Sequence, residues 1–251
     1  MNAENIQIPA TDGSFLDGRV YYPGTSPVGV MVYSHGLFSS KDAYKINAMA
    51  EDICRAGYAV ITFSYGYTRD YSTGRPLDIS LEDTVADLEA ACTWAGDHFT
   101  APLHLFGSSM GGAASLWFAA ITGKTLNSIS LMATPVDLAN LVMLLTGGRP
   151  VEELPVEGSI PAGEFSITNA SLKKLLSVDL AAALHRIKSP LLIMHGEKDE
   201  VVAPKNASII AENTGGEKKL CIINNGDHGL TAPRHLEIIR EEVLSWLNLH
   251  S

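Results

Sequence analysis

The stretch that most constrains this chain is residues 103–112, Leu-His-Leu-Phe-Gly-Ser-Ser-Met-Gly-Gly, an apolar run that breaks into small residues around a serine before a second apolar run resumes at Ala113. That is the pattern of a strand, a sharp turn and a helix. Gly107, Ser109 and Gly111 satisfy G-x-S-x-G, in which a serine sits on a strained strand-to-helix corner with its hydroxyl pushed out of the backbone. A side chain at 107 or 111 would meet the neighbouring strand or helix, and glycine tolerates so close an approach. The frame also chooses between two serines, because Ser108 would need glycine where Phe106 and Met110 stand. Three fixed positions in five also fit a plain glycine-rich helix start; the strand before and the helix after make Ser109 the candidate nucleophile.

A chain of 251 residues, 46% apolar and 18% charged, is long enough for one α/β domain with a filled core and has the composition of a soluble globular protein. Lysine and arginine number 18 against 28 aspartates and glutamates, a formal charge of -10, so the basic field a phosphate backbone needs is missing and nucleic acid is not an expected partner. Cys54, Cys92 and Cys221 are an odd set, widely spaced in apolar patterns, which fits reduced, buried thiols better than a disulfide frame. The opening Met1-Asn2-Ala3-Glu4-Asn5-Ile6 lacks the basic start and apolar centre of a secretory signal, and no apolar run reaches bilayer length. The expectation is a cytoplasmic protein without a membrane span. Its oligomeric state stays open, a homodimer being one option.

Along the chain, residues 6–8 and 15–22 bracket a Thr11-Asp12-Gly13 turn and read as an antiparallel hairpin. Residues 28–33 form a continuous apolar run, as for a strand buried on both faces, and lead into Ser34-His35-Gly36-Leu37-Phe38. A helix is expected over 41–56 with Gly57 as its cap, then a strand over 58–63, and then a surface loop over 66–76. Ser80 and Asp83 form a capping box for the next helix, and residues 127–132 read as the strand after the glycine-serine turn. From 136 to 189 the alternation lapses into a helical piece at 138–145, a proline-rich acidic loop at 150–161 and a helix from about Ser171, which reads as a lid inserted into a single domain spanning 1–251. Alternation resumes with a strand at 191–194, a helix from Pro204, a strand at 220–223 and a closing helix carrying Leu236, Ile239, Val243 and Trp246 on one face.

In a parallel sheet the loops after the strand ends share one edge, where ligands bind. Four such loops carry His35-Gly36-Leu37, Ser109, Asp199 and His228. A serine hydroxyl needs a base to remove its proton, and an imidazole needs a carboxylate to fix its tautomer and stabilise its charged form. The chain order Ser109, Asp199, His228 suits that arrangement on an α/β sheet. Over nearly its whole length the chain resembles the α/β-hydrolase fold serine hydrolases. The residues that carry the likeness are His35-Gly36-Leu37, the Gly107 to Gly111 turn, the loop from His195 through Asp199, and Gly226-Asp227-His228-Gly229. The resemblance implies a mostly parallel sheet of the eight-stranded type, Ser109 as nucleophile, His228 as general base, Asp199 as its orienting acid, and the Leu37 and Met110 amides as an oxyanion hole.

Some relatives place their acid after the preceding strand, which makes Asp137 the second candidate; Asp199 has the family's His-Gly-x-x-Asp frame. Asp227 reads as a turn residue, His35 and His195 as hydrogen-bonding loop residues, and His98, His104, His185, His235 and His250 as surface or satisfied residues. No histidine pair has a metal-site spacing and no dinucleotide fingerprint is present, so neither a metal nor an organic cofactor is expected. The resemblance is nearest to small-lid carboxylesterases, cinnamoyl esterases and monoacylglycerol lipases, and implies a small-molecule ester as substrate. Serine aminopeptidases share the core, and Glu152, Glu153, Glu157 and Glu164 offer carboxylates for a free amine. The fold also serves non-catalytic binding proteins. Tyr71 is the last tyrosine and Phe165 the only aromatic ring of Phe, Tyr or Trp in 136–189, which departs from the lid tyrosine of cinnamoyl esterases.

Overall fold

The computed structural model describes residues 2–124 and 126–251. Strands β1 (Asn2–Pro9) and β2 (Phe15–Tyr22) form the opening hairpin, in register from Asn2 with Tyr22 to Pro9 with Phe15. β1 begins earlier than the apolar pattern suggests because its first residues are exposed on the edge of the sheet and are held by backbone pairing alone. Then follow β3 (Gly29–Ser34), α1 (Tyr44–Arg55), β4 (Tyr58–Phe63), α2 (Leu81–His98), β5 (Leu103–Ser108), α3 (Met110–Thr122) and β6 (Ser128–Met132). The segment after β6 carries α4 (Leu138–Leu145), a short hairpin of β7 (Ser159–Ala162) and β8 (Phe165–Thr168), α5 (Asn169–Leu176) and α6 (Leu180–Ala183). β9 (Leu191–Gly196), α7 (Lys205–Asn213), β10 (Lys218–Ile223) and α8 (Pro233–Leu249) complete the chain.

Eight strands form one sheet in the order β1-β2-β4-β3-β5-β6-β9-β10. β2 runs antiparallel to β1 and β4, and the rest are parallel. Every residue of β3, β4, β6 and β9 is buried, which is why these strands read as unbroken apolar runs. One face of the sheet packs a core that includes Leu88, Ala113, Leu116 and Phe118 of α2 and α3; the other packs Ile46, Ile53, Ile239 and Trp246 of α1 and α8. No helix among the described residues is long and apolar enough to cross a membrane.

Three local differences from the sequence pattern have clear causes. α1 begins at Tyr44 because the Ser40 side chain accepts the Asp42 N–H at 3.2 Å, forming a turn that competes with the helix. The 150–161 stretch is more than a loop: residues 159–162 pair with 165–168, in strands of four residues, too short for an alternation to register. The helix expected near Ser171 starts at Asn169, since Thr168 caps it by accepting the Ser171 N–H at 3.1 Å. The Ser80 capping box forms: its hydroxyl accepts the Asp83 N–H at 3.0 Å and donates to the Asp83 carboxylate at 2.6 Å.

Candidate active site

Backbone crowding builds the turn at Ser109. A Cβ at Gly107 would lie 2.6 Å from the Gly112 Cα, and one at Gly111 would lie 2.5 Å from the His35 carbonyl oxygen, so β3, β5 and α3 meet only because these side chains are absent. Ser109 itself has φ 51° and ψ -119°. A non-glycine residue held there stores about 1–3 kcal/mol of strain. Its N–H donates to the Met132 carbonyl at 2.8 Å, while its own carbonyl accepts the N–H groups of Gly112 and Ala113 at 2.9 and 3.1 Å. Both neighbours thus pin the strained residue, and the hydroxyl projects above the sheet edge.

The loops after β9 and β10 bring the other two residues to it. His228 Nε2 lies 3.1 Å from Ser109 Oγ, and His228 Nδ1 lies 2.8 Å from Asp199 Oδ2. A carboxylate only accepts, so Nδ1 carries the proton and Nε2 is left to receive the serine proton. Asp199 Oδ1 accepts the Val201 and Val202 N–H groups at 2.9 and 2.8 Å, and His195 Nε2, shared with the Val202 carbonyl, adds a contact at 3.1 Å to Oδ2, the oxygen that faces His228. Burial alone would raise the Asp199 carboxyl, but the bonds from His195, His228 and Val202 outweigh it and hold the group well below the usual carboxylate range. Gly196 permits the loops to touch, since a Cβ there would lie 2.6 Å from the Asp227 carbonyl oxygen.

Asp137 is elsewhere: its side chain caps α4, accepting the Asn140 N–H at 3.1 Å and the Asn140 side-chain amide. Asp227 accepts the Leu230 N–H at 2.7 Å, as expected of a turn residue. On the other side of Ser109, Gly36, the residue before Leu37, comes so close that a Cβ would lie 3.2 Å from the serine Cβ. Met110 is the first residue of α3, where the amide has no partner within the helix. His35 is fully buried, donates through Nδ1 to the Gly36 carbonyl at 2.8 Å and accepts the Tyr65 N–H at 3.2 Å; burial pushes it down to about 4, so it stays neutral and shapes the loop.

The stretch 66–76 is in part the surface loop expected, since residues 72–76 are exposed, but Gly66–Ser72 is a half-buried 3₁₀ helix, and the Tyr65 before it is fully buried. The Tyr65 hydroxyl bonds to Ser34 Oγ, which donates to the Gly111 carbonyl at 2.9 Å, so this segment braces the serine turn. Asp87 of α2 accepts the Gly66 N–H at 2.7 Å, and burial pushes its carboxyl up to about 6. Arg69 turns away to the Ser14 hydroxyl at 2.6 Å and the Phe15 carbonyl at 3.1 Å. Two further expectations need correction. His104 is fully buried with Nδ1 on Ser128 Oγ at 2.9 Å, but its Nε2 has no partner among the described residues. Cys221 is only half-buried, on edge strand β10, whereas Cys54 and Cys92 are buried.

Sequence reading also passed over Lys45. It is half-buried in the first turn of α1 with Nζ 3.3 Å from Ser108 Oγ; burial pushes it down to about 8 against the pull of Asp227 and Asp199. A lysine among apolar helix positions carries no signal of such a place. Among the described residues no group of three or more His, Cys, Asp or Glu side chains is placed to hold a metal ion. What the arrangement offers chemically is a hydroxyl, a base within reach of its proton, and a buried carboxylate that stabilises the base once charged.

The model of the prolyl oligopeptidase family matches residues 80–251. A monoacylglycerol lipase of Mycolicibacterium smegmatis is 24% identical over 92% of both chains, and a thermostable monoacylglycerol lipase of Bacillus sp. strain H-257 is 28% identical over 98% of both. Among solved structures, Est1E from Butyrivibrio proteoclasticus superposes with a TM-score of 0.84 at 18% identity, covering 98% of each chain. The fold is that of the α/β hydrolases.

Proposed function

Because this chain belongs to the prolyl oligopeptidase family, we propose that it is a serine hydrolase cleaving esters of small or medium acyl groups through an acyl-enzyme. The observation that carries the reading is the continuous relay from Ser109 through His228 to Asp199, at 3.1 and 2.8 Å, on a strained turn. His228 Nε2 takes the Ser109 proton as Oγ attacks the acyl carbon. The Leu37 and Met110 N–H groups hold the oxyanion, and His228 then returns the proton to the departing alcohol. Water, deprotonated by the same imidazole, releases the acid and restores the serine. Asp199 stays ionised throughout, stabilising the imidazolium.

The family takes its name from peptidases, yet both full-length relatives above are named monoacylglycerol lipases, which supports esters over peptides and makes monoacylglycerols the first natural candidates. A binding protein of this fold would have no need of the connected relay. The segment 136–189 acts as a lid in this proposal: Leu138, Leu141 and Val142 anchor α4, and Met143 and Leu144 stand exposed for an acyl chain. A cytoplasmic setting fits three free thiols.

The test is a p-nitrophenyl ester chain-length series on wild type and Ser109→Ala, with an aminoacyl nitroanilide and methyl ferulate alongside. Ester turnover that disappears in the alanine variant is the expected result. A wild type that cleaves the anilide in preference to every ester would overturn the substrate class, and turnover surviving in Ser109→Ala would overturn the nucleophile.

A further inference from the structure

Phe38 directly follows Leu37 and has φ 60°, a left-handed conformation that bulky residues avoid unless their surroundings impose it. The surroundings here come from the 136–189 segment. The Phe165 ring, at the start of β8, stacks on the Phe38 ring with centroids 5.3 Å apart and planes 4° from parallel. Tyr71 supports Phe165 from the 3₁₀ helix, centroids 4.4 Å apart. Phe165 is not free to drift, because β8 is held on both edges. It pairs with β7 on one; on the other the Leu77 N–H donates to the Ser166 carbonyl at 2.8 Å and the Thr168 N–H to the Leu77 carbonyl at 3.0 Å. Leu77 and Ile167, at that junction, are buried.

We propose that Phe165 is a positioning residue: through its stack on Phe38 the β7–β8 hairpin fixes the oxyanion loop, so that the Leu37 N–H points at the reacting carbonyl. The inference rests on the proposed role of Leu37 as an oxyanion donor. Its physical basis is that an amide stabilises developing charge only when aimed in advance, and a hydrogen bond made in the transition state lowers kcat when it is misplaced. A residue that merely walled the acyl pocket would act differently, through KM and only on acyl chains long enough to touch it.

The experiment is steady-state kinetics of wild type, Phe165→Ala, Phe165→Tyr and Ser109→Ala on p-nitrophenyl acetate and p-nitrophenyl octanoate, with active sites counted by burst titration. Phe165→Ala is expected to lower kcat by about tenfold on both esters while KM changes by less than about twofold. Phe165→Tyr, which keeps the ring, restores kcat. Undiminished kcat on acetate in Phe165→Ala, or a loss confined to octanoate KM, overturns the inference while leaving the hydrolase reading intact. Equal turnover of wild type and Ser109→Ala overturns the hydrolase reading, and this inference with it.

Discussion

The serine turn and the 136–189 segment are shaped by opposite constraints. At the turn a single methyl group decides whether the chain can close: the space beside Gly107 and Gly111 is already filled by the backbone of α3 and of the end of β3. In the 136–189 segment Gly147, Gly148 and Gly163 also adopt positive φ, yet a Cβ at any of them would meet nothing within 4 Å. There the short helices α4, α5 and α6 are started by side-chain caps from Asp137, Thr168 and Asp179, and Val156 is 81% exposed. The crowded region admits one backbone and few side chains, whereas the open one leaves room at its turns and is held by buried side chains such as Leu138, Ile160, Ile167, Leu172 and Leu175. Chemistry that needs positions fixed to fractions of an ångström belongs to the first.

The sharpest challenge to this contrast is Asp199→Asn against Asp137→Asn. The first should lower kcat/KM by about four orders of magnitude by leaving His228 in the wrong tautomer. The second weakens only the cap of α4 and should leave kcat/KM unchanged; a large loss there would place the acid in the open region. Next, Gly111→Ala should destabilise the fold by about 3 kcal/mol or more, since backbone oxygens must move, as urea unfolding would show. Near-native stability would mean that the turn is looser than it looks.

Asp87, in the brace beneath the turn, has a smaller and pH-dependent effect. Burial pushes its folded carboxyl up to about 6, above its unfolded value. Folding therefore favours the protonated form, and the associated stability is full below about pH 4 and is lost as pH rises through about 6. Asp87→Asn should gain about 1–2 kcal/mol at about pH 8 and nothing at about pH 4, measured by unfolding at both. A loss at the higher pH would mean that the charge itself supports the Gly66 turn. Least affected should be Gly163→Ala, with about 1 kcal/mol from its positive φ alone and no change in KM.

The same contrast explains what could be read from the sequence. Gly107, Ser109 and Gly111 are legible because crowding leaves no other residue types, and the parallel strands because burial on both faces demands unbroken apolar runs. Asp199 and His228 are legible because their loops leave the same sheet edge, and the family's His-Gly-x-x-Asp frame separates Asp199 from Asp137. The β7–β8 hairpin was hidden because strands of four residues, one containing Pro161, show no periodicity. The burial of Tyr65 and the half-burial of Tyr67 depend on Ser34, Asp87 and His35, which are distant in sequence or leave no local mark. Lys45 was hidden for the same reason.

The most direct test of the central claim is to label the protein to completion with a fluorophosphonate, locate the adduct by peptide mass spectrometry and follow ester turnover in parallel. One adduct per chain on Ser109, with activity falling in proportion to labelling, is the outcome the relay to His228 and Asp199 requires. An adduct on Ser108 or elsewhere, or turnover that persists after full labelling of Ser109, would contradict it.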